Sequence, residues 1–415
     1  MSGEAKSAVI KSADGTPLPV KMRRARRNKE LEAFGLMLPL LAFMAAFFVF
    51  PICMMLVRSV ENKEVVTLLP QTMAAMSDWN GSGVPGEPVF AALAVDLRND
   101  YRNKTAQHLA VRLNFEIADF RTLILKTSRA VDRMISGPYR EQFEQLDNRW
   151  NDPRYWAVLW QNRSQFTDYY YMTALDLERN SKHQLQQKPM DQQIYIPIFM
   201  RTIWISLLVT FLCFVLGYPV AYFLAGQPVG RASILMFFVL VPFWTSLLVR
   251  TIGWVVLLQE RGVLNDFLLW LGLTSHRYQL IYNRTGLLIA MVHVLLPFMI
   301  LPLFSVMRGI DPNYVRAARS LGANPLIAFL TVYFPQSMPG VSAGCFLVFI
   351  LAVGYYITPE LVGGPGDQMI SHFIAYYIDF LINWGQATAL ATILLIVIVT
   401  LCAFSFRFLR LQELR

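Results

Sequence analysis

The chain has 415 residues, 55% of them hydrophobic, 13% aromatic and 16% charged, with a formal net charge of +9. A mean hydropathy of +0.41 excludes an ordinary soluble globule, and this share of charge excludes a chain lying wholly in membrane, so a membrane domain with one soluble insertion is the partition that fits. The positive charge clusters beside apolar runs and no basic stripe carries a nucleic-acid motif; it reads as membrane topology, with no nucleic acid as partner.

Residues 1–33 are polar and basic, with Lys21, Arg23, Arg24, Arg26, Arg27 and Lys29 crowded ahead of Phe34. They are expected to form a mobile cytoplasmic tail that sets orientation and lies near membrane lipid. The apolar run 34–57 is too long for a signal-peptide core and reads as a retained first transmembrane helix. Residues 58–195 intersperse acids and bases over a length sufficient for a domain. Within them Asn80-Gly81-Ser82-Gly83 and Pro85-Gly86 mark an exposed loop. Leu109, Leu113, Ile117, Phe120, Ile124, Val131 and Met134 recur at helical spacing and predict one long amphipathic helix ended by Gly137-Pro138. Arg112, Glu116, Asp119, Arg129 and Arg133 are expected on its solvated side. Trp150, Tyr155, Trp156, Trp160 and Tyr169–Tyr171 predict a second helical portion with an aromatic core.

Further spans are expected at Ile196–Ala225, Ala232–Leu257, Gly286–Met307, Met338–Thr358 and Ala387–Phe406, each able to cross a hydrocarbon core of ~30 Å. The expected fold is therefore an all-α polytopic membrane protein, six transmembrane helices with a largely helical periplasmic insertion between the first and second. An inside N-terminus puts Arg231, Arg308, Arg316, Arg319, Arg407, Arg410 and Arg415 in the cytoplasm, both termini with them, and segment 58–195 outside. Val263–Leu273 is too short to cross and reads as an interfacial helix with Trp270 at headgroup level. Phe373–Ile382 reads as a re-entrant or surface helix. The four cysteines lie far apart inside apolar stretches and read as small core residues.

The polar interruption 308–337 lies inside the 196–410 core. Asp311 can cap a helix that takes Pro312 in its first turn and stops at a left-handed Gly322. Asn324-Pro325 repeats the start signal, and a second helix is expected to run to about Tyr333 before Pro335 ends it. Tyr314, Ala318 and Gly322 share a face that narrows to almost bare backbone.

Ala317-Ala318, three residues, Gly322, nine residues and then Val332-Tyr333-Phe334-Pro335 resembles the EAA loop of bacterial ABC importer permeases, with Arg316 where that family usually has glutamate. Gly217-Tyr218-Pro219-Val220-Ala221-Tyr222, Arg261-Gly262-Val263-Leu264-Asn265, Leu296-Pro297-Phe298 and Gly354-Tyr355-Tyr356-Ile357-Thr358-Pro359 are similar to the spermidine/putrescine-type branch, whose first loop is short where this chain carries its large insertion. The resemblance implies a permease of the bacterial inner membrane that pairs with a second permease subunit, ABC ATPase subunits and a periplasmic substrate-binding protein. It also implies an ATPase-coupling surface of Tyr314, Arg316, Ala317, Ala318, Arg319, Gly322, Ala323, Asn324 and Pro335. The two arginines offer charge-assisted bonds to a partner or to anionic headgroups.

No phosphate loop, HExxH, GxSxG or clustered Cys/His site occurs in the sequence, so the chain is not expected to be an enzyme or to bind a cofactor; ATP and Mg belong to the partner ATPase. Pro219 and Pro297 can kink spans, Gly340-x3-Gly344 permits close helix contact, and Arg250 and His293 are ionisable groups in or near spans, Arg250 placed to snorkel outward. A polyamine would be met by carboxylates and aromatic faces, for which Trp244, Tyr355, Tyr356 and Glu360 are the pathway candidates, with Asp367 and Asp379 near them. Glu360 and Asp367 are expected to be solvated loop charges. An ion-coupled secondary transporter would need matched broken helices in two halves, and a membrane sensor would need a cytoplasmic output module; neither pattern stands out.

Overall fold

The computed structural model describes residues 18–134, 137–179 and 184–413. Expectations for residues 1–17 and for Arg415, and those for the side chains of Lys21, Arg23, Arg24, Arg407 and Arg410, lie outside what is described.

The chain divides into two units, Met1–Arg58 and Ser59–Arg415. In the first, helix α1 (Leu18–Met44) passes through a π turn, Ala45–Val49, into α2 (Phe50–Arg58). Glu32–Arg58 is long and apolar enough to cross a membrane. The chain from Leu18 to residue 33 is thus helical rather than a mobile tail. Lys and Arg are good helix formers, Arg26 Nε donates to Glu30 Oε1 one turn on at 2.9 Å, and a helix nucleated by the apolar run propagates backward easily. The π turn precedes Pro51, whose ring would press on the carbonyl of Phe47 in a regular helix; the widened turn, closed by Phe50 N–H on Ala45 O, relieves that clash.

The second unit opens with α3 (Lys63–Leu68), α4 (Pro70–Ala75), α5 (Glu87–Arg102), α6 (Ala106–Asn114), α7 (Phe120–Val131), α8 (Tyr139–Leu146), α9 (Pro153–Gln161) and α10 (Tyr169–Ala174). A small antiparallel hairpin follows, β1 (Leu177–Arg179) on β2 (Leu185–Gln187), with Leu177 opposite Gln187. The aromatic core is as expected: Trp150 and Trp156 are fully buried and meet the rings of Phe90, Phe120 and Phe143. Their indole N–H groups are satisfied by Thr127 Oγ1 and Trp150 O, at 3.0 and 2.8 Å. The single long helix is not found. Its apolar face folds back at Phe115–Asp119, where Asp119 is left-handed (φ 71°), so that α6 and α7 pack on each other and both bury that face. The fold-back also overturns the solvated placement of two charges. Arg112 and Glu116 form a buried pair at 2.7 Å, their side chains 3% and 4% exposed, while Asp119, Arg129 and Arg133 are exposed as expected.

The membrane part comprises α11 (Tyr195–Ala225), α12 (Val229–Leu240), α13 (Leu247–Leu258), α14 (Val263–Trp270), α15 (Arg284–Arg308), α16 (Pro312–Ser320), α17 (Pro325–Ala328), α18 (Phe334–Val353), α19 (Ile357–Val362), α20 (Ile370–Asp379) and α21 (Trp384–Glu413). Five helices of the described chain are long and apolar enough to cross a membrane, or six if a bent pair counts as one. That pair replaces the expected straight span Ala232–Leu257. Val229–Trp244 and Leu247–Trp270 meet at 94°, because Pro242 tightens the chain into a 3-10 turn and Ser246 starts a new helix by accepting from Val249 N–H. The expected span Met338–Thr358 also shifts: Pro325–Val353 is one helix, and Thr358 belongs to α19 after a break at Gly354. Pro335 does not end the loop's second helix. The π turn Phe329–Tyr333 stands directly before Phe334-Pro335, as the first unit's π turn stands before Phe50-Pro51, and carries the helix past the proline.

α11, α15 and α18 form the packed centre of this part. A Cβ on Gly340 would stand 3.0–3.2 Å from Val306, Pro302 and Leu303, and one on Gly344 would stand 2.8 Å from the Met299 sulfur, so the Gly-x3-Gly pattern is used for close contact with α15. Tyr218 and Ser337 hydroxyls join α11 to α18 at 2.9 Å.

Candidate functional site

Segment 308–337 holds the shape expected of its caps. Asp311 accepts from Asn313 N–H at 2.9 Å, Gly322 is left-handed at φ 96°, and Asn324 accepts from Ile327 N–H at 2.8 Å. Tyr314, Arg316, Ala317, Arg319, Gly322, Asn324 and Pro335 are exposed, and Ala318 and Ala323 are half-buried. Neither Arg316 nor Arg319 forms an ion pair among the described residues. Apolar groups flank this polar surface: Leu321 is 90% exposed, Leu326 66% and Tyr314 58%. A helix presenting small residues and free cations beside bare apolar side chains can receive another protein at close range.

The loop is fixed to the membrane core at two places. Arg308, at the end of α15, donates through Nη1 to Ala225 O and Gln227 O at 2.8 and 2.5 Å, satisfying carbonyls left open where α11 ends. Read in sequence only as a topology charge, Arg308 is also a clamp. The second attachment is aromatic: Phe329 and Tyr333 pack edge-on against Tyr222 at 5.8 and 5.0 Å between centroids, and Tyr218 meets Phe329 and Phe334. Because Pro325–Val353 is continuous, a displacement of α17 is carried into α18 and its glycine contacts with α15.

The pathway candidates lie at two other places. Trp244 is 68% exposed at the end of the 3-10 turn between α12 and α13, with its ring on Phe237. Tyr355 and Tyr356 occupy the break between α18 and α19, and Glu360 on α19 is bonded to His372 Nδ1 at 2.5 Å. No hydrogen bond or ring contact joins Trp244 to the two tyrosines. Arg250 does not snorkel free; it donates to Pro242 O and to Thr245 O, holding the bend from inside its own chain. His293 accepts from Trp254 Nε1 at 3.1 Å, a bond from α13 to α15. Asp367 is not a solvated loop charge: it is 6% exposed and bonded to Arg284 Nε at 2.9 Å. The tight glycines before it were the available signal, since a Cβ on Gly364 would stand 2.6 Å from Tyr282 O.

Electrostatics outside the spans concentrate in the insertion. Burial works against the Arg112 charge, but Glu116 beside it, with Tyr170 and Tyr169, more than offsets this and moves its pKa up. Hydrogen bonds from Arg149, against partial burial and with help from Lys126, hold the Asp147 carboxyl well below the usual range. Burial pushes Asp96 up, against the bonds it accepts from Thr72.

The family model for binding-protein-dependent transport system inner membrane components matches residues 217–415, which contain every loop and pathway candidate; the insertion precedes that match. The spermidine/putrescine transport system permease protein PotB of Escherichia coli strain K12 is 37% identical over 199 residues, covering 48% of this chain and 72% of that protein. PotB of Haemophilus influenzae is 34% identical over 220 residues, covering 52% and 76%. Among solved structures, a bacterial alginate ABC transporter in complex with an alginate pentasaccharide-bound periplasmic protein is 18% identical, covering 52% of this chain and 78% of that one, with a TM-score of 0.43.

Proposed function

The chain belongs to the binding-protein-dependent transport system inner membrane components, as an ABC importer permease subunit, and from that membership we propose that it imports polyamines or similar small polar solutes by alternating access driven by a separate ATPase. The observation that carries the coupling role is the exposed α16–α17 segment, capped at both helix starts, clamped by Arg308 and continuous with α18. In this reading Ala317, Ala318 and Gly322 let the ATPase approach, Arg316 and Arg319 bond to it, and ATP and Mg are handled entirely there. The coupling segment and both termini face the cytoplasm. The insertion faces the periplasm, where the substrate-binding protein docks, and a second permease subunit completes the path.

The test is purification of the tagged protein from its native membrane, paired with uptake assays. ATPase subunits are expected to co-purify, labelled putrescine or spermidine uptake to fall when ATP is depleted, and Gly322→Trp to abolish uptake while leaving the protein in the membrane. Recovery without any ATPase, together with full uptake by Gly322→Trp, would sink the reading. Uptake of another polar solute in preference to polyamines would remove only the substrate assignment.

A further inference from the structure

Two carboxyl groups of the insertion lie buried with no cation beside them. Asp96 and Asp100 stand one turn apart on one face of α5, 2% and 4% exposed, and neither forms an ion pair among the described residues. Like charges at that spacing repel even on an open helix surface, and burial strengthens the repulsion.

Their oxygens are unequally served. Asp96 accepts from Thr72 N–H and Thr72 Oγ1, each at 2.7 Å, and at 3.4 Å from Gln71 N–H, the first N–H groups of α4. Asp100 has one bond: its Oδ1 accepts from Thr105 Oγ1 at 2.7 Å, while its Oδ2 is sealed from solvent and meets no donor. The charges around α5 are engaged or face outward. On α5 itself Arg98 donates to Val131 O and Arg102 pairs with Asp132, both at 2.9 Å, and Glu87 accepts from Tyr139 and Arg140 N–H. Of the helices packed on it, α4 carries no charge. Arg112 of α6, Lys126 of α7 and Arg140 of α8 pair with Glu116, Asp147 and Glu144, and Arg154 of α9 pairs with Asp152. His108, Arg121, Arg129, Glu141 and the nearby Lys104 are exposed.

An ionised oxygen buried without a donor is costly, and either a proton or a metal ion would relieve it. A metal ion needs about six oxygens around it, whereas both Asp96 oxygens already accept from α4 and Asp100 Oδ2 alone is open. We propose that Asp100 takes up a proton from solvent as the insertion folds and is held there as a neutral carboxylic acid beside a charged Asp96, so that the corner between α5 and α6 tightens in acid and loosens as the surroundings turn alkaline. Burial pushes both carboxyls above the usual range; at Asp100 it outweighs the Thr105 bond, and the Asp96 charge adds to it. The folded state then binds more protons than the unfolded one. Stability is greatest below the unfolded carboxylate pKa and declines as pH rises through the folded one, opposite in sign to the ion-paired Asp147.

Thermal unfolding of the full-length protein in detergent, from about pH 4 to about pH 8, tests this with two variants that cannot ionise, Asp100→Asn and Asp100→Leu. Asp100→Asn is expected to unfold a few degrees above the parent at the alkaline end, with the gap closing toward the acid end. Asp100→Leu loses the Thr105 bond as well, yet its midpoint relative to the parent is expected to fall with the same slope toward acid. Infrared spectroscopy at about pH 5, where an ordinary aspartate is ionised, should show in the parent a protonated carboxylic acid band that both variants lack. The proposal is overturned if the gap is independent of pH or widens toward acid, or if no such band separates parent from variants. It is equally overturned if calcium, magnesium or sodium raises the midpoint of the parent at about pH 8 but not that of Asp100→Asn, since the pair would then hold a metal ion.

Discussion

Arg112 carries the largest single-residue commitment in the insertion. Its guanidinium is 3% exposed, pairs with Glu116 and donates to Asn162 Oδ1 at 2.9 Å, with the rings of Tyr169 and Tyr170 within 5.5 and 5.1 Å. Removing one member of such a pair strands a buried charge, so Arg112→Met is expected to cost about 3–5 kcal/mol, whereas Arg112→Met with Glu116→Leu recovers most of it. Chemical unfolding followed by tryptophan fluorescence reads the difference, and equal losses in the single and double variants would refute it. Asp147 gives the pH counterpart. Its folded pKa is depressed, so its stabilisation is present above the unfolded carboxylate pKa and is lost as pH falls through the folded one. Asp147→Asn keeps an acceptor for the cap but loses the charge facing Arg149 and Lys126, so it should lower the unfolding midpoint at about pH 7, a loss of up to roughly 1 kcal/mol, and the gap from the parent should narrow steadily below about pH 4. A gap independent of pH would mean the charge contributes nothing.

At the scale of elements, the glycines between α15 and α18 make a graded prediction. At Gly340 a new methyl meets three atoms fixed by the backbone, Val306 Cβ at 3.0 Å, Pro302 O at 3.1 Å and Leu303 Cα at 3.2 Å; at Gly344 it meets one such atom as closely, Met299 O at 3.2 Å, and its nearest neighbour, the Met299 sulfur at 2.8 Å, sits on a side chain that can turn away. Gly340→Ala is therefore expected to cost about 1–3 kcal/mol and more than Gly344→Ala, measured as loss of monodisperse protein on heating in detergent. The reverse order would mean that α15 and α18 pack differently. Much of this was legible in sequence, because caps and spans act locally: Asp311, Gly322 and Asn324 do what their residue types dictate, and α11 and α15 fall within two residues of the apolar runs that announced them. The errors share a cause. Leu109–Met134 keeps helical spacing through its fold-back because both halves bury against one core, so periodicity cannot see the turn. Pro242 and Pro335 look alike as residues, yet one ends a helix at a 94° bend and the other is absorbed by a π turn, a difference set by the neighbouring turn and by Ser246. Of the candidate site, the capping geometry could be read from the chain, but the Arg308 clamp and the Arg284–Asp367 pair join distant segments and leave no local mark.

At the scale of the whole molecule, the question is how the insertion, residues 58–195, is held to helices that must move if the permease cycles. The first turn of α21 supplies one fastening. Tyr170 of α10 lies so close to Gly385 that a Cβ there would stand 2.2 Å from the ring, inside any contact distance a side chain tolerates, so glycine is required for α10 to dock. The Asp176 carboxylate, which accepts from Ile194 and Ile196 N–H at 3.0 and 2.7 Å, ties the insertion to the neighbouring start of α11, which the Tyr195 and Tyr377 hydroxyl pair joins in turn to α20. Docking thus rests on a few polar bonds and one steric fit, while the insertion keeps its own aromatic core. Gly385→Ala should consequently loosen the attachment without unfolding either side. Hydrogen exchange is expected to speed up in α10 and in the first turn of α21, with α7 and the α11–α15–α18 centre unchanged. Unchanged exchange in α10 would show that the ring contact does not govern docking, and faster exchange throughout α7 would show that the insertion has no stability apart from its seat on the membrane helices.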